Sequence, residues 1–368
     1  MYKVPFVNYG LQYKDLKSEI DGTMQDVLAR GDLILRKDTD EFERRLAEFV
    51  GTKYAVALNS GTDALFFSLL TAGIGKGDEV ITVSHTFVAS IATIVQAGAT
   101  PILIDVAEDF EMDVSKLEEA ITEKTKAIIL VHLNGRMSNI DKVMEIAQKH
   151  NLIVIEDAAQ ALGAKYNGKR AGLTGYSGCF SFYPAKILGC FGDGGGLTTN
   201  DEKVAEHVRL LRDHGQKTKT EIMCFGWNSR LDNLQAAVLN VKMNHLESWL
   251  NRRRAIASLY NEGLKEVGRI KVPPAPDNGI YFDVFQNYVL RVEDRDALFA
   301  YLKENGVETL IKDPIANHNH PGLKLSYFKL PMSEQLAKEV ISLPMYPELT
   351  DEQVKYVIGC VKNFYSKK

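Results

Sequence analysis

Between about residues 50 and 200, short β-branched runs alternate with amphipathic segments of a dozen or so residues. That alternation constrains the fold more than any other feature of the chain, because it calls for a parallel sheet covered by helices. The expected strands are 55–58, 79–83, 101–105, 127–131, 152–156 and 179–183. Turn or capping residues follow them, including Ser60-Gly61-Thr62, Ser84, Asp157 and Pro184. These positions are the carboxyl ends of the strands, where open α/β sheets place their ligands.

A stretch from Asp232 to about Leu264 has helical spacing without an internal proline, and predicts one long helix leading out of this region. Val272-Pro273-Pro274 then marks a break. A strand-like run at 287–292 and helical patterns at 295–305 and 351–364 read as a smaller α+β domain. The expected division is a large domain over 1–250, whose N-terminal segment can pack on its neighbour, and a small C-terminal domain over 251–368.

Forty-four Lys and Arg stand against 48 Asp and Glu, without a block of like charge, which excludes a nucleic-acid-binding surface. Cys179, Cys190, Cys224 and Cys360 form neither a CxxC pair nor a disulfide framework, so a reducing compartment is expected. Apolar runs stop far short of the ~18 residues of a membrane helix. A cytoplasmic protein with no membrane partner is expected.

Three strand ends carry residues that can do chemistry. Asp157 closes the apolar run 152–156 and is followed by Ala158-Ala159-Gln160; it fits a carboxylate beside a crevice and equally a helix cap. Lys186 follows an aromatic strand ending in Pro184 and precedes Gly189-Cys-Phe-Gly-Asp-Gly-Gly-Gly196. Most lysines are solvated, yet one held on a fixed wall loses its charge readily and becomes a Schiff-base nucleophile. Asn59-Ser60-Gly61-Thr62-Asp63 joins a strand to a helix beginning near Ala64, an arrangement that suits a bound phosphate or simple capping. Gly192–Gly196 lacks the GxGxxG spacing of a nucleotide loop and reads as a tight turn. His318 and His320 near Asp313 are too weak a pattern for a metal, and none is expected. A lysine, a carboxylate and a phosphate cradle on three strand ends are the parts needed to hold pyridoxal 5'-phosphate (PLP).

Eight ordered segments carry a resemblance: Ser60-Gly-Thr-Asp-Ala-Leu65, Gly77-Asp-Glu-Val-Ile81, Thr86-Phe-Val-Ala89, Glu156-Asp-Ala-Ala-Gln160, Ser181-Phe-Tyr-Pro-Ala-Lys186, Gly192-Asp-Gly-Gly195, His214-Gly215 and Asn228-Ser-Arg230. Over nearly its whole length the chain resembles the sugar-nucleotide aminotransferases of the DegT family, which have the fold-type-I aminotransferase architecture. The resemblance implies that Lys186 joins the cofactor aldehyde and that Asp157 pairs with the pyridine nitrogen. Phe87 would stack on the ring and Gln160 would lie near its 3-hydroxyl. Gly61, Thr62 and Ser181 would hold the phosphate, with Asn228 reaching in from the neighbouring subunit of a homodimer.

The chain departs from that pattern in three places. Leu162 stands where many relatives have histidine, Arg36-Lys37 follow Ile34-Leu35 where many have glycine, and Lys312-Asp313-Pro314 replaces His-Tyr-Pro. Arg36, Lys37, Arg230 and Lys312, with His318, are the candidate contacts to an anionic substrate. The expected reaction moves an amino group from L-glutamate, through pyridoxamine phosphate, to a nucleotide-linked keto sugar, with a 3-keto sugar favoured over a 4-keto one. A sugar dehydratase and a non-catalytic regulatory homologue are the alternatives. Lys186 counts against the first, which resembles relatives with histidine at this position.

Overall fold

The computed structural model describes residues 2–366. Its main sheet has seven strands: β1 (Tyr54–Leu58), β2 (Glu79–Val83), β3 (Thr100–Ile104), β4 (Thr125–Val131), β5 (Ile153–Asp157), β6 (Ser177–Ser181) and β7 (Gly195–Thr199). Their order across the sheet is β1-β7-β6-β5-β4-β2-β3. The five strands from β6 to β3 pair in parallel, and β7 runs antiparallel to both of its neighbours. Six of these strands were expected, within a residue or two at most ends.

The seventh corrects the reading of Gly192–Gly196 as a tight turn. Gly195 and Gly196 open β7, opposite Leu58 and Ala57 on one side and Ser181 and Phe180 on the other. Their glycine content hides the strand from a propensity argument, but the crowding requires it. A Cβ on Gly195 would lie 2.1 Å from the carbonyl carbon of Ser60, closer than any side chain can stand.

Helices α1 (Tyr9–Arg30), α2 (Lys37–Val50), α3 (Gly61–Thr71), α4 (Ala89–Gln96), α5 (Ile140–His150) and α6 (Glu202–Arg212) accompany the sheet. The strands are buried almost throughout, β4 from Ala127 to Val131, as a sheet covered on both faces requires. The expected single helix over 232–264 is two, α7 (Asn233–Met243) and α8 (Leu246–Leu264). Asn244 and His245 close α7 with tight bonds to the carbonyls of Val241 and Lys242. The break has a packing reason, since the chain here leaves one core for another. Leu246 and Leu250 belong to the apolar cluster around the large sheet, whereas Ile256, Tyr260 and Leu264 belong to a second one.

That second cluster is built on an antiparallel sheet of Ile270–Lys271, Tyr288–Val292 and Val340–Leu343 and on the final helix Asp351–Ser366. Val4, from the N-terminal segment, is buried in it and pairs with Val307. Helix α1 instead packs on α7 through Leu16, Ile20 and Val238. Among the described residues no helix is long and apolar enough to cross a membrane.

Candidate active site

The carboxyl ends of β1, β5 and β6, together with the start of β7, surround a cleft of about 620 Å³. Asp157 is the last residue of β5, paired with Val131 and Cys179 in the neighbouring strands. Its carboxylate is buried, accepts from Ser90 Oγ at 2.7 Å and from the Ala159 N–H at 3.2 Å, and lines the cleft. Ser90, in the first turn of α4, is in turn 2.8 Å from Thr86 Oγ1. The carboxylate is therefore steered by Ser90 and by its own turn, and no helix begins after Asp157 for it to cap.

Lys186 lies just beyond β6 in the turn that Pro184 begins, with its N–H bonded to the Tyr183 carbonyl at 2.8 Å. Its side chain lines the cleft, and among the described residues the amine has no hydrogen-bond partner. Burial, followed by the like charge of Lys312, lowers its pKa from 10.5 to about 8, while Asp157 acts the other way. Lys312 lines the same cleft, and burial lowers its pKa too.

Ser60 caps α3, its Oγ accepting from the Asp63 N–H at 3.0 Å. The helix starts three residues earlier than expected, at Gly61. Gly61 suits the close approach there, because a Cβ would crowd the Ser181 Cβ at 3.0 Å and the Phe180 carbonyl oxygen at 3.1 Å. Gly61, Thr62 and Ser181 thus converge on one corner of the cleft at a helix N-terminus, which attracts anions. Across the cleft, Gln160 is oriented by the Asn134 N–H at 3.1 Å and by Asn287 Nδ2 at 3.2 Å, both donating to its Oε1. Phe87 stands on the cleft wall, 57% exposed.

The remaining candidates lie elsewhere in the single chain. His318 is fully buried with both ring nitrogens engaged, Nδ1 at 2.8 Å from Ser84 Oγ and Nε2 at 3.1 Å from Glu334 Oε1, which leaves nothing to offer a substrate. Arg230 bonds Asp213 at 2.9 Å, outside the cleft lining. Arg36 and Lys37 are exposed beside Asp32 and Asp26, and Asn228 is exposed on the segment that pairs with Asp213. Among the described residues no group of three or more His, Cys, Asp or Glu could hold a metal ion.

Sequence reasoning passed over several supporting residues. Ser90 was legible in principle, one helical turn after Thr86. Asn134, Gln286 and Asn287 carried no local signal. Behind Asp157, Glu156 accepts from the N–H groups of Gly172, Thr174 and Gly175 and from His132 Nε2 at 2.9 Å. These bonds outweigh burial and hold its pKa below the usual value. His132 Nδ1 accepts from the Ser138 N–H, so Nε2 carries the proton.

A desolvated free amine, a buried carboxylate and a helix N-terminus on three sides of one cleft fit PLP. The amine matches its aldehyde, the carboxylate its ring nitrogen and the helix terminus its phosphate. This fold and site define an aminotransferase. A model of the DegT/DnrJ/EryC1/StrS aminotransferase family matches residues 14–362, and the chain belongs to that family, whose members use PLP. Over 367 residues it is 43% identical to the pleiotropic regulatory protein of Geobacillus stearothermophilus, covering 98% of each chain. It is 41% identical, again over 367 residues, to the dTDP-3-amino-3,4,6-trideoxy-alpha-D-glucose transaminase of Streptomyces venezuelae, covering 98% of this chain and 96% of that one. The crystal structure of S. venezuelae DesV with a bound reaction intermediate superposes with a TM-score of 0.96 at 39% identity, over 99% of both chains. The chain is a PLP-dependent sugar aminotransferase of this family.

Proposed function

We propose that this enzyme transfers the amino group of L-glutamate to a nucleotide-linked 3-keto sugar. The single observation that carries the reading is the desolvated amine of Lys186, without a hydrogen-bond partner among the described residues, in the cleft that Asp157 also lines. When bound, PLP supplies the electron sink that stabilises negative charge on the donor's α-carbon. Lys186 anchors the cofactor and, once displaced by the donor, moves a proton at its Nζ; a pKa near 8 suits a base that must both take and return it near neutral pH. Asp157, steered by Ser90, holds the ring nitrogen's proton. Gly61, Thr62 and Ser181 bind the phosphate, joined by Asn228 of a second copy. Phe87 covers the ring and Gln160 faces its hydroxyl. Lys312 remains in the cleft for an anionic group of the substrate, and Arg36, Lys37 and Arg230 are left for a neighbouring subunit's cleft.

The preference for a 3-keto acceptor rests on the S. venezuelae transaminase above, which is named for a 3-amino sugar. A cytoplasmic setting suits the four unpaired cysteines. A relative named as a regulator does not favour a non-catalytic reading here, since amine, carboxylate and phosphate corner are all in place.

The test is spectroscopic. Wild type with PLP is expected to show the visible band of lysine-bound cofactor, which L-glutamate bleaches; Lys186→Ala shows neither. A panel of 3-keto and 4-keto nucleotide sugars then reads amine transfer. No band in the wild type refutes the role of Lys186, and transfer to neither sugar class removes the substrate assignment.

A further inference from the structure

The turn that carries Lys186 is closed by a side chain from a hundred residues away. A Cβ on Gly189 would come 2.4 Å from the Pro184 carbonyl oxygen, so the two ends of the turn touch. The peptide groups on either side of Lys186 are left to find partners, and Gln286 takes both. Its Nε2 donates to the Ala185 carbonyl at 2.8 Å, and its Oε1 accepts from the Ile187 N–H at 2.9 Å. The side chain is 8% exposed.

Gln286 is itself held. Arg253, buried on α8, donates from Nη1 to the carbonyls of Phe285, Gln286 and Met345 at 3.0, 3.4 and 3.1 Å. Its charge is spent on backbone. Phe285 adopts φ 51, a left-handed conformation that strains an aromatic residue and persists only where the surroundings impose it. Gly135 makes room for this bend, since a Cβ there would be 2.6 Å from the nitrogens of both Phe285 and Gln286. One residue on, Asn287 Nδ2 reaches Gln160 and Asn134 Oδ1.

We propose that Gln286 is a positioning residue for the active-site lysine, fixing the direction of its Nζ by bonding the peptide groups on both sides of Lys186, and that Arg253 and the strained Phe285 hold Gln286 in turn. An uncharged amide suits the task, because it donates and accepts in a fixed geometry and adds no field of its own. Residues 285–287 lead into the strand Tyr288–Val292 of the second core. A shift of that strand therefore pulls on the lysine. The inference rests on the reading of Lys186 as the reacting amine.

The test compares wild type, Gln286→Met and Gln286→Glu. Met keeps the length and makes neither bond; Glu keeps the acceptor and donates only when protonated. The readouts are the rate and pH midpoint of PLP capture by cofactor-free protein, the single-turnover rate with L-glutamate, and the melting temperature. Gln286→Met is expected to capture PLP and to turn over about 10- to 100-fold more slowly, with a displaced midpoint and a melting temperature within about 5 °C of wild type. Gln286→Glu falls between the two, and its deficit relative to wild type at the same pH narrows as pH drops. Wild-type capture, midpoint and turnover in a folded variant overturn the proposal, as does a loss that merely follows the melting temperature in both variants. If Lys186→Ala captures PLP as wild type does, the failure belongs to the proposed role of Lys186 instead.

Discussion

A lysine must be neutral to attack an aldehyde, and at Lys186 burial supplies most of that neutrality. With its pKa lowered to about 8, the amine is protonated and inert below that pH and free above it. PLP capture by the cofactor-free protein is expected to rise as pH climbs through about 8, some two units before an ordinary lysine would respond. Lys312 contributes to the lowering by like charge, so Lys312→Met is expected to move the midpoint upward; an unchanged midpoint would place Lys312 too far away to matter. The aromatic and glycine-rich flanks of Lys186 singled it out in the sequence as the candidate reacting amine. That a second amine comes near could not be read there, because Lys312 reaches the cleft from a loop pinned elsewhere. Leu310 pairs with Ser342 on one side, and Asn317 Nδ2 bonds the carbonyls of Ser84 and Thr86 on the other.

Among the elements, α3 and the end of β6 make the proposed phosphate corner and β7 backs the start of α3; two substitutions separate the contributions of α3 and β7. Ser60→Ala removes the cap of α3 and is expected to cost about 1 kcal/mol of stability. Gly195→Ala forces a methyl against the Ser60 carbonyl and is expected to cost more, about 1–3 kcal/mol, and to weaken PLP binding by displacing the start of the helix. Chemical denaturation of the cofactor-free proteins ranks the two, and a mild Gly195→Ala would show that the strand can yield. The strands with β-branched runs were legible because their side-chain pattern belongs to them alone. β7 was not, since its glycines answer to the proximity of Ser60 and Phe182 rather than to strand propensity. The break between α7 and α8 was hidden for a related reason. Helical spacing continues through it, and only the change of packing partner reveals it.

For the whole molecule, the segment 222–227 exposes Ile222, Met223 and Phe225 at 70%, 53% and 98%, an apolar surface that the single chain leaves uncovered. Asn228, which we assign to a second copy's phosphate corner, follows directly. The homodimer we propose would cover this surface, and Phe225→Asp is expected to shift sedimentation toward monomer and to lower activity with it. A variant that stays dimeric places the interface elsewhere. The cleft itself joins material from both apolar clusters, since Met345 of the second lines it beside Leu65 and Val131 of the first.

Local pattern was enough for six of the seven strands, for the strand ends that carry Asp157 and Lys186, and, to within three residues, for the start of α3, because periodicity and turn chemistry are properties of neighbouring residues. Tertiary structure alone decided which side chains serve those groups. Gln286 lies where two peptide groups need partners, Asn287 orients Gln160, and Ser84 and Glu334 occupy both ring nitrogens of His318. Each of these contacts except that with Glu334 spans 99 residues or more, and hydrogen-bonding needs at such distances leave no trace in the order of the chain.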